Sequence, residues 1–189
     1  MPASKRFEVE QKYRINDAAK VETALSRLGA TFGEAETQRD QYYSHPSRDF
    51  TKTDEALRIR RAGDSSVITY KGPKVDKTTK TRQELEVPIL DGSKAAEQHG
   101  RLLEALGFRP VLEVVKRRRP GSLSWDAWRV EIALDEIDRL GFFLELEIVT
   151  TEDKLDSARA AIESLSLELE VGLSERRSYL ELLLSSGST

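Results

Sequence analysis

Segment after segment of this chain alternates charged with apolar residues, and the charged positions repeat the same sign. Between Phe7 and Ile15, residues Glu8, Glu10, Lys12 and Arg14 share one parity, and Phe7, Val9, Gln11 and Tyr13 the other. A period of two describes a strand with two unlike faces. Strands are also predicted over 56–61, 67–71, 81–89, 111–118, 128–134 and 142–149. Like-signed pairs stand two residues apart: Glu8/Glu10, Arg58/Arg60, Glu84/Glu86, Lys116/Arg118 and Glu145/Glu147. The other parity is largely apolar, as in Leu57 and Ile59, Leu85 and Val87, or Leu144, Leu146 and Ile148. An open antiparallel sheet with one wet face accounts for the alternation. It does not account for the segregation, because like charges on one face repel and a solvated face gains by mixing signs. Gathered carboxylates suit a divalent cation, and gathered arginines and lysines suit phosphate oxygens. Closing the sheet would place both sets in one partly desolvated lumen, where each interacts more strongly.

The remaining segments fit an α+β chain. Helical spacing predicts helices over 17–28, 93–106, 154–165 and 175–184. Asn16 or Asp17 caps the first and Gly29 stops it, while Gly107 ends the second. Residues 38–43 look extended, 45–54 read as a polar loop, and Gly63-Asp64 reads as a turn. Gly72-Pro73 opens a basic connection with Lys74, Lys77 and Lys80, a solvated loop that could steer anions. The expected fold is mainly antiparallel β, a closed eight-stranded barrel forming a tunnel, with helices packed outside. It would be one domain over 1–185, followed by a frayed tail over 186–189.

Composition narrows the chemistry. Charged residues make up 33% of the 189, yet the net charge is only −3, without the basic excess of a general nucleic-acid binder. The absence of cysteine excludes disulfides, thiolate metal sites and cysteine nucleophiles. The two histidines, His45 and His99, lie far apart, so a metal would sit on carboxylates, which favours a hard ion such as Mg²⁺ or Mn²⁺. No signal-like or membrane-spanning apolar run is present, and a cytoplasmic location is expected.

Glu8-Val9-Glu10-Gln11-Lys12 fits a Glu-x-Glu-x-Lys pattern and resembles the opening strand of the CYTH superfamily, the triphosphate tunnel metalloenzymes. That group includes class IV adenylyl cyclases, thiamine triphosphatases and inorganic triphosphatases. Further matches follow in order: Arg39-Asp40-Gln41-Tyr42-Tyr43, Leu57-Arg58-Ile59-Arg60, Thr69-Tyr70-Lys71-Gly72-Pro73 and Thr81-Arg82-Gln83-Glu84-Leu85-Glu86. Lys116-Arg117-Arg118, Leu134-Asp135-Glu136-Ile137, Leu140-Gly141-Phe142 and Glu145-Leu146-Glu147 complete a series that spans nearly the whole chain. The resemblance implies a metal set of Glu8, Glu10, Asp135, Glu145 and Glu147, joined by Glu84 and Glu86, which would hold a second metal or orient basic neighbours. It implies catalytic roles for Lys12, Lys71 and Arg118, and substrate binding by Arg58, Arg60, Arg82 and Lys116.

The Lys-Gly-Pro segment, the Leu-Gly-x-Phe segment and Arg177-Ser178-Tyr179 resemble the class IV cyclase branch, which converts ATP to cyclic AMP and pyrophosphate. The second carboxylates, Glu86 and Glu147, keep hydrolysis of tripolyphosphate or thiamine triphosphate as the alternative. A non-catalytic triphosphate or polyphosphate sensor is a third reading. The expected partner is a small triphosphate, not a nucleic acid or a membrane, and a homodimer is left open. Trp125, Trp128, Tyr42 and Tyr43 are expected to pack, and His45 is given no role. Tyr179 either packs or reaches the tunnel mouth. Arg117 and Arg119 fall on the parity opposite Lys116 and Arg118.

Overall fold

The computed structural model describes residues 6–73, 81–90 and 92–187; Lys74, Lys77 and Lys80 lie outside them. The first half runs β1 (Arg6–Ile15), α1 (Ala18–Arg27), β2 (Thr31–Phe32), β3 (Glu36–Ser44), α2 (Phe50–Thr53), β4 (Ala56–Ala62) and β5 (Ser65–Lys71). The second runs β6 (Glu84–Ile89), α3 (Gly92–Ala105), β7 (Arg109–Trp125), β8 (Trp128–Ile137), β9 (Gly141–Thr151), α4 (Leu155–Glu168) and α5 (Tyr179–Ser186). All pairings are antiparallel, in the order β1-β9-β8-β7-β3-β4-β5-β6, with β2 added on β7.

The sheet curls until its two ends touch. The Glu8 amide donates to the Arg82 carbonyl at 3.3 Å, and the Arg82 amide returns a bond to the Glu8 carbonyl at 3.4 Å. Among the described residues no ladder extends this single bridge, so the closed eight-stranded barrel is corrected to a nine-stranded sheet curled into a half-barrel. The strand at that end explains the difference. β6 is only six residues long and contains Pro88, which has no N–H to give, as befits a sheet edge.

The apolar parity of β1, β8 and β9 packs outward on α1 and α4. Val9, Val130, Leu144, Leu146 and Ile162 are fully buried there, and burying each such side chain contributes about 1.5–3 kcal/mol. α3 covers Leu57, Ile59 and Ile89 on the other half. A third apolar cluster lies inside the curl. Tyr42, Val114 and Phe143 share strand parity with Asp40, Lys116 and Glu145, and they pack on Tyr179, Leu182 and Leu183 of α5. α5 therefore plugs one end of the lumen.

The boundaries differ from expectation where local signals compete with packing. β7 runs 17 residues, through Pro120-Gly121 and beyond the expected end at 118. A Cβ on Gly121 would stand 2.6 Å from the Phe32 ring, so glycine is what lets β2 approach. A short helix interrupts the expected loop because Asp49 accepts from the Thr51 amide and caps it. α5 starts at Tyr179 rather than Glu175, after a capping box between Ser178 and Glu181, and it extends through Ser186.

Candidate functional site

The lumen and its mouth form a cavity of about 700 Å³. Glu8, Glu10, Lys12, Arg58, Arg60, Lys71, Arg82, Glu84, Glu86, Lys116, Arg118, Glu145 and Glu147 all line it. Alternation and register put them there. Glu10 stands opposite Glu147 and Lys12 opposite Glu145 across β1 and β9. Lys71 stands opposite Glu84 across β5 and β6. Carboxylates thus gather where the two sheet ends meet, on β6, β1 and β9. Lys12, Lys71 and Arg82 stand among them, while Arg58, Arg60, Lys116 and Arg118 project from β4 and β7.

Asp135 is the exception among the expected metal ligands. It does not line the cavity, and its side chain is fully buried. An ionised carboxylate offers about four lone-pair sites. Here Arg118 Nε donates at 2.7 Å, Arg118 Nη2 donates a second bond, Lys116 Nζ donates at 3.3 Å and the Tyr179 hydroxyl donates at 3.0 Å. Oδ2 takes three of these bonds and Oδ1 the fourth, so in this structure Asp135 holds two cations and stands apart from the carboxylates that line the cavity.

Asp40 does the same on the other wall, and the sequence pattern gave it no role. Its carboxylate accepts from Arg58 Nη1 at 3.1 Å and, in a fork, from Arg60 Nε at 2.7 Å and Nη2 at 2.8 Å. Burial raises its pKa, but Arg58 and Arg60 outweigh burial and hold the carboxyl well below the usual range. The available signal was a single acid on β3 sharing parity with Gln38 and Tyr42, one strand from the arginine pair.

Arg60 and Arg82 are not surface cations. Arg82 is buried, with Nη1 near the carbonyls of Asp54 and Gly72 at 3.4 and 3.5 Å. Lys71 pairs with Glu84, and Arg118 also reaches Glu145. Lys12 is buried; its ammonium donates to the Arg177 carbonyl at 2.6 Å and lies 3.8 Å from the centroid of the Tyr179 ring. Burial and the neighbouring Arg118 push Lys116 down to about 8, against the pull of Asp135.

The acidic side carries the opposite strain. Burial, then Glu147 and Glu84, push Glu8 up to about 9. Burial and Glu10 push Glu147 up to about 7. Oxygen donors that repel one another fit a hard divalent cation. Among the described residues no three acidic or histidine side chains already form a metal cluster.

Residues with smaller expected roles fall into place. Arg117 is exposed and Arg119 turns outward to Glu22. Trp125 and Trp128 pack on the α1–α4 core. His45 lies on the cavity rim, where Nδ1 accepts from the amides of Ser47 and Arg48 at 3.1 and 3.0 Å and shapes the turn. Tyr42 lines the cavity as well as packing. No described helix is long and apolar enough to cross a membrane.

A curled antiparallel sheet whose single lumen gathers carboxylates and cations defines a class of charge-lined half-barrels. Residues 6–179 match the CYTH domain model, and the chain belongs to that family. A Methanocaldococcus jannaschii protein named as a candidate adenylate cyclase, MJ0240, is 38% identical over 93% of this chain and 98% of its own length. Adenylate cyclase CyaB of Aeromonas hydrophila is 31% identical over 92% of this chain and 87% of its own. The structure of PH1819 from Pyrococcus horikoshii superposes with a TM-score of 0.82 at 42% identity, over 95% of this chain and 99% of that one. At 16% identity and a TM-score of 0.65, covering 96% of each chain, the Hippeastrum protein HpAC1 shares the fold; its structure is described as revealing a dominant triphosphatase activity.

Proposed function

We propose that this chain is a divalent-metal-dependent enzyme acting on a triphosphate, and that its reaction converts ATP to cyclic AMP and pyrophosphate. The observation that carries the reading is one cavity lined by six carboxylates and seven cations from the sheet. Beyond the ionic walls the lining turns apolar, with Phe50, Val111, Leu180 and Leu184. Inorganic tripolyphosphate has nothing to place against those side chains, whereas a nucleotide has a flat organic group. The cyclase names of the relatives point the same way.

In this reading Arg58, Arg60, Arg82 and Lys116 hold the phosphate chain. Lys12, Lys71 and Arg118 face the reacting phosphorus. Glu8, Glu10, Glu84, Glu86, Glu145 and Glu147 supply the carboxylates for Mg²⁺ or Mn²⁺. When bound, the ion would supply charge neutralisation for the phosphate oxygens. The ribose 3′ oxygen forms a bond to the α-phosphorus, the bond to the β-phosphate oxygen breaks, and the hydroxyl proton goes to a lumen carboxylate. Pre-aligned cations contribute by fixing the chain for in-line attack rather than by new covalent chemistry.

Hydrolysis remains the second reading, because the second carboxylates Glu86 and Glu147, both on the cavity lining, could position a water as a base would. Chromatographic product analysis of ATP, tripolyphosphate and thiamine triphosphate, each with Mg²⁺ and Mn²⁺, separates the readings. Cyclic AMP from ATP supports the cyclase. Orthophosphate from tripolyphosphate without cyclic AMP supports the hydrolase, and binding without turnover supports a sensor.

A further inference from the structure

We propose that Tyr179 is a positioning residue for the triphosphate clamp, acting through Asp135 with its hydroxyl and through Lys12 with its ring. The proposal rests on the triphosphate reading above. Tyr179 is the first residue of α5, on the element that plugs the lumen, and its side chain is buried. Its hydroxyl is spent on Asp135, the fully buried acid that carries Lys116 and Arg118. The phenol is the third donor to Oδ2, the oxygen that Arg118 Nη2 and Lys116 Nζ also reach. Without it that oxygen keeps the two cations alone, and the carboxylate can shift toward whichever it then holds more closely.

The ring does separate work. Lys12 Nζ lies 3.8 Å and Lys116 Nζ 5.4 Å from the ring centroid, within the range in which an aromatic face attracts a cation. Phe143 meets the same ring edge-on at 5.1 Å and fixes its plane. The backbone supports the arrangement. Just before the helix, the Arg177 carbonyl accepts from Lys12 Nζ, and the Glu175 amide donates to the Lys12 carbonyl at 2.6 Å. One aromatic side chain thus touches, directly or through one carboxylate, three cations on two strands: Lys12 on β1, and Lys116 and Arg118 on β7.

The test uses the full chain and inorganic tripolyphosphate with Mg²⁺, read by calorimetry, with steady-state kinetics on ATP beside it. Tyr179→Phe keeps the ring and removes the donor. Its Kd and KM should rise about 3–10-fold, the worth of one hydrogen bond, with kcat within about twofold. Tyr179→Leu removes the ring as well and should weaken binding further, by about another 3–10-fold for the lost cation–π contact. In an Asp135→Asn background, Tyr179→Phe should add little, because the route through Asp135 is already cut. Equal Kd in wild type and Tyr179→Phe, with wild type binding well, overturns this proposal alone. A loss confined to kcat overturns it too, since that would put the phenol at the reacting atoms. Failure of the wild type to bind any triphosphate overturns the triphosphate reading and this proposal together.

Discussion

At the scale of single residues, parity decides what a charge can do. Arg118 points into the lumen and is held by Asp135 and Glu145, whereas Arg117, one residue away, is exposed and lies 3.9 Å from Glu136. Arg118→Ala should weaken triphosphate binding by roughly 1.5–3 kcal/mol, as for a lost charge-assisted hydrogen bond. Arg117→Ala should leave calorimetric affinity nearly unchanged, and equal damage from both would show that the lumen assignment of β7 is wrong. Glu8→Gln removes a carboxylate without changing volume, so turnover should be abolished while circular dichroism stays native. The like-signed pairs make nearly all of the lumen residues legible from the sequence alone. The cation contacts of Asp40 and Asp135 are not legible there. A buried acid between cations and an acid on the lumen wall look alike in sequence, and only the packing of other strands around them tells them apart.

At the scale of elements, the strands and helices are readable wherever periodicity is long, as in β1, α1, β4 and α4. Legibility fails where punctuation residues serve packing. Pro120-Gly121 resembles a strand end, yet the Gly33 amide donates to the Pro120 carbonyl at 2.9 Å and Gly121 admits the Phe32 ring, so β7 continues. Gly121→Ala should destabilise by roughly 1–3 kcal/mol, because its new Cβ would meet Phe32 at 2.6 Å and the Thr31 carbonyl at 2.9 Å. A backbone oxygen cannot step aside as a flexible side chain would. Denaturant unfolding measures this, and an unchanged midpoint would mean that β2 does not pack there. Barrel closure is equally beyond sequence reading, since it depends on how far two distant edges, β1 and β6, converge in space. At the α5 cap, Ser178 accepts from the Glu181 amide at 3.1 Å. Ser178→Ala should cost about 1 kcal/mol in the same assay.

At the scale of the whole molecule, the buried carboxylates and Lys116 oppose one another in how stability depends on pH. The carboxylates are a cluster that folding must bury without its cation. Glu8 is raised to about 9 and Glu147 to about 7, from an ordinary 4.5. Between 4.5 and each raised value, the folded chain keeps protons that the unfolded chain has released. The unfolded state therefore binds fewer protons, and stability falls as pH rises through that window, the reverse of the usual paired carboxylate. Lys116, lowered to about 8, contributes with the opposite sign above that value, where the unfolded chain still holds its proton. In chelator, the melting temperature should therefore drop between about pH 5 and about pH 8. Glu8→Gln should flatten that drop and melt higher than wild type at the alkaline end, since its amide has no proton to lose and no charge to repel Glu147 and Glu84. Adding Mg²⁺ should raise the wild-type melting temperature most at high pH, where the carboxylates are ionised and can bind it. Parallel pH profiles for wild type and Glu8→Gln in chelator would show that Glu8 carries no raised pKa. A Mg²⁺ effect that was the same in both proteins would place the cation away from Glu8, on the far side of the lumen or outside it.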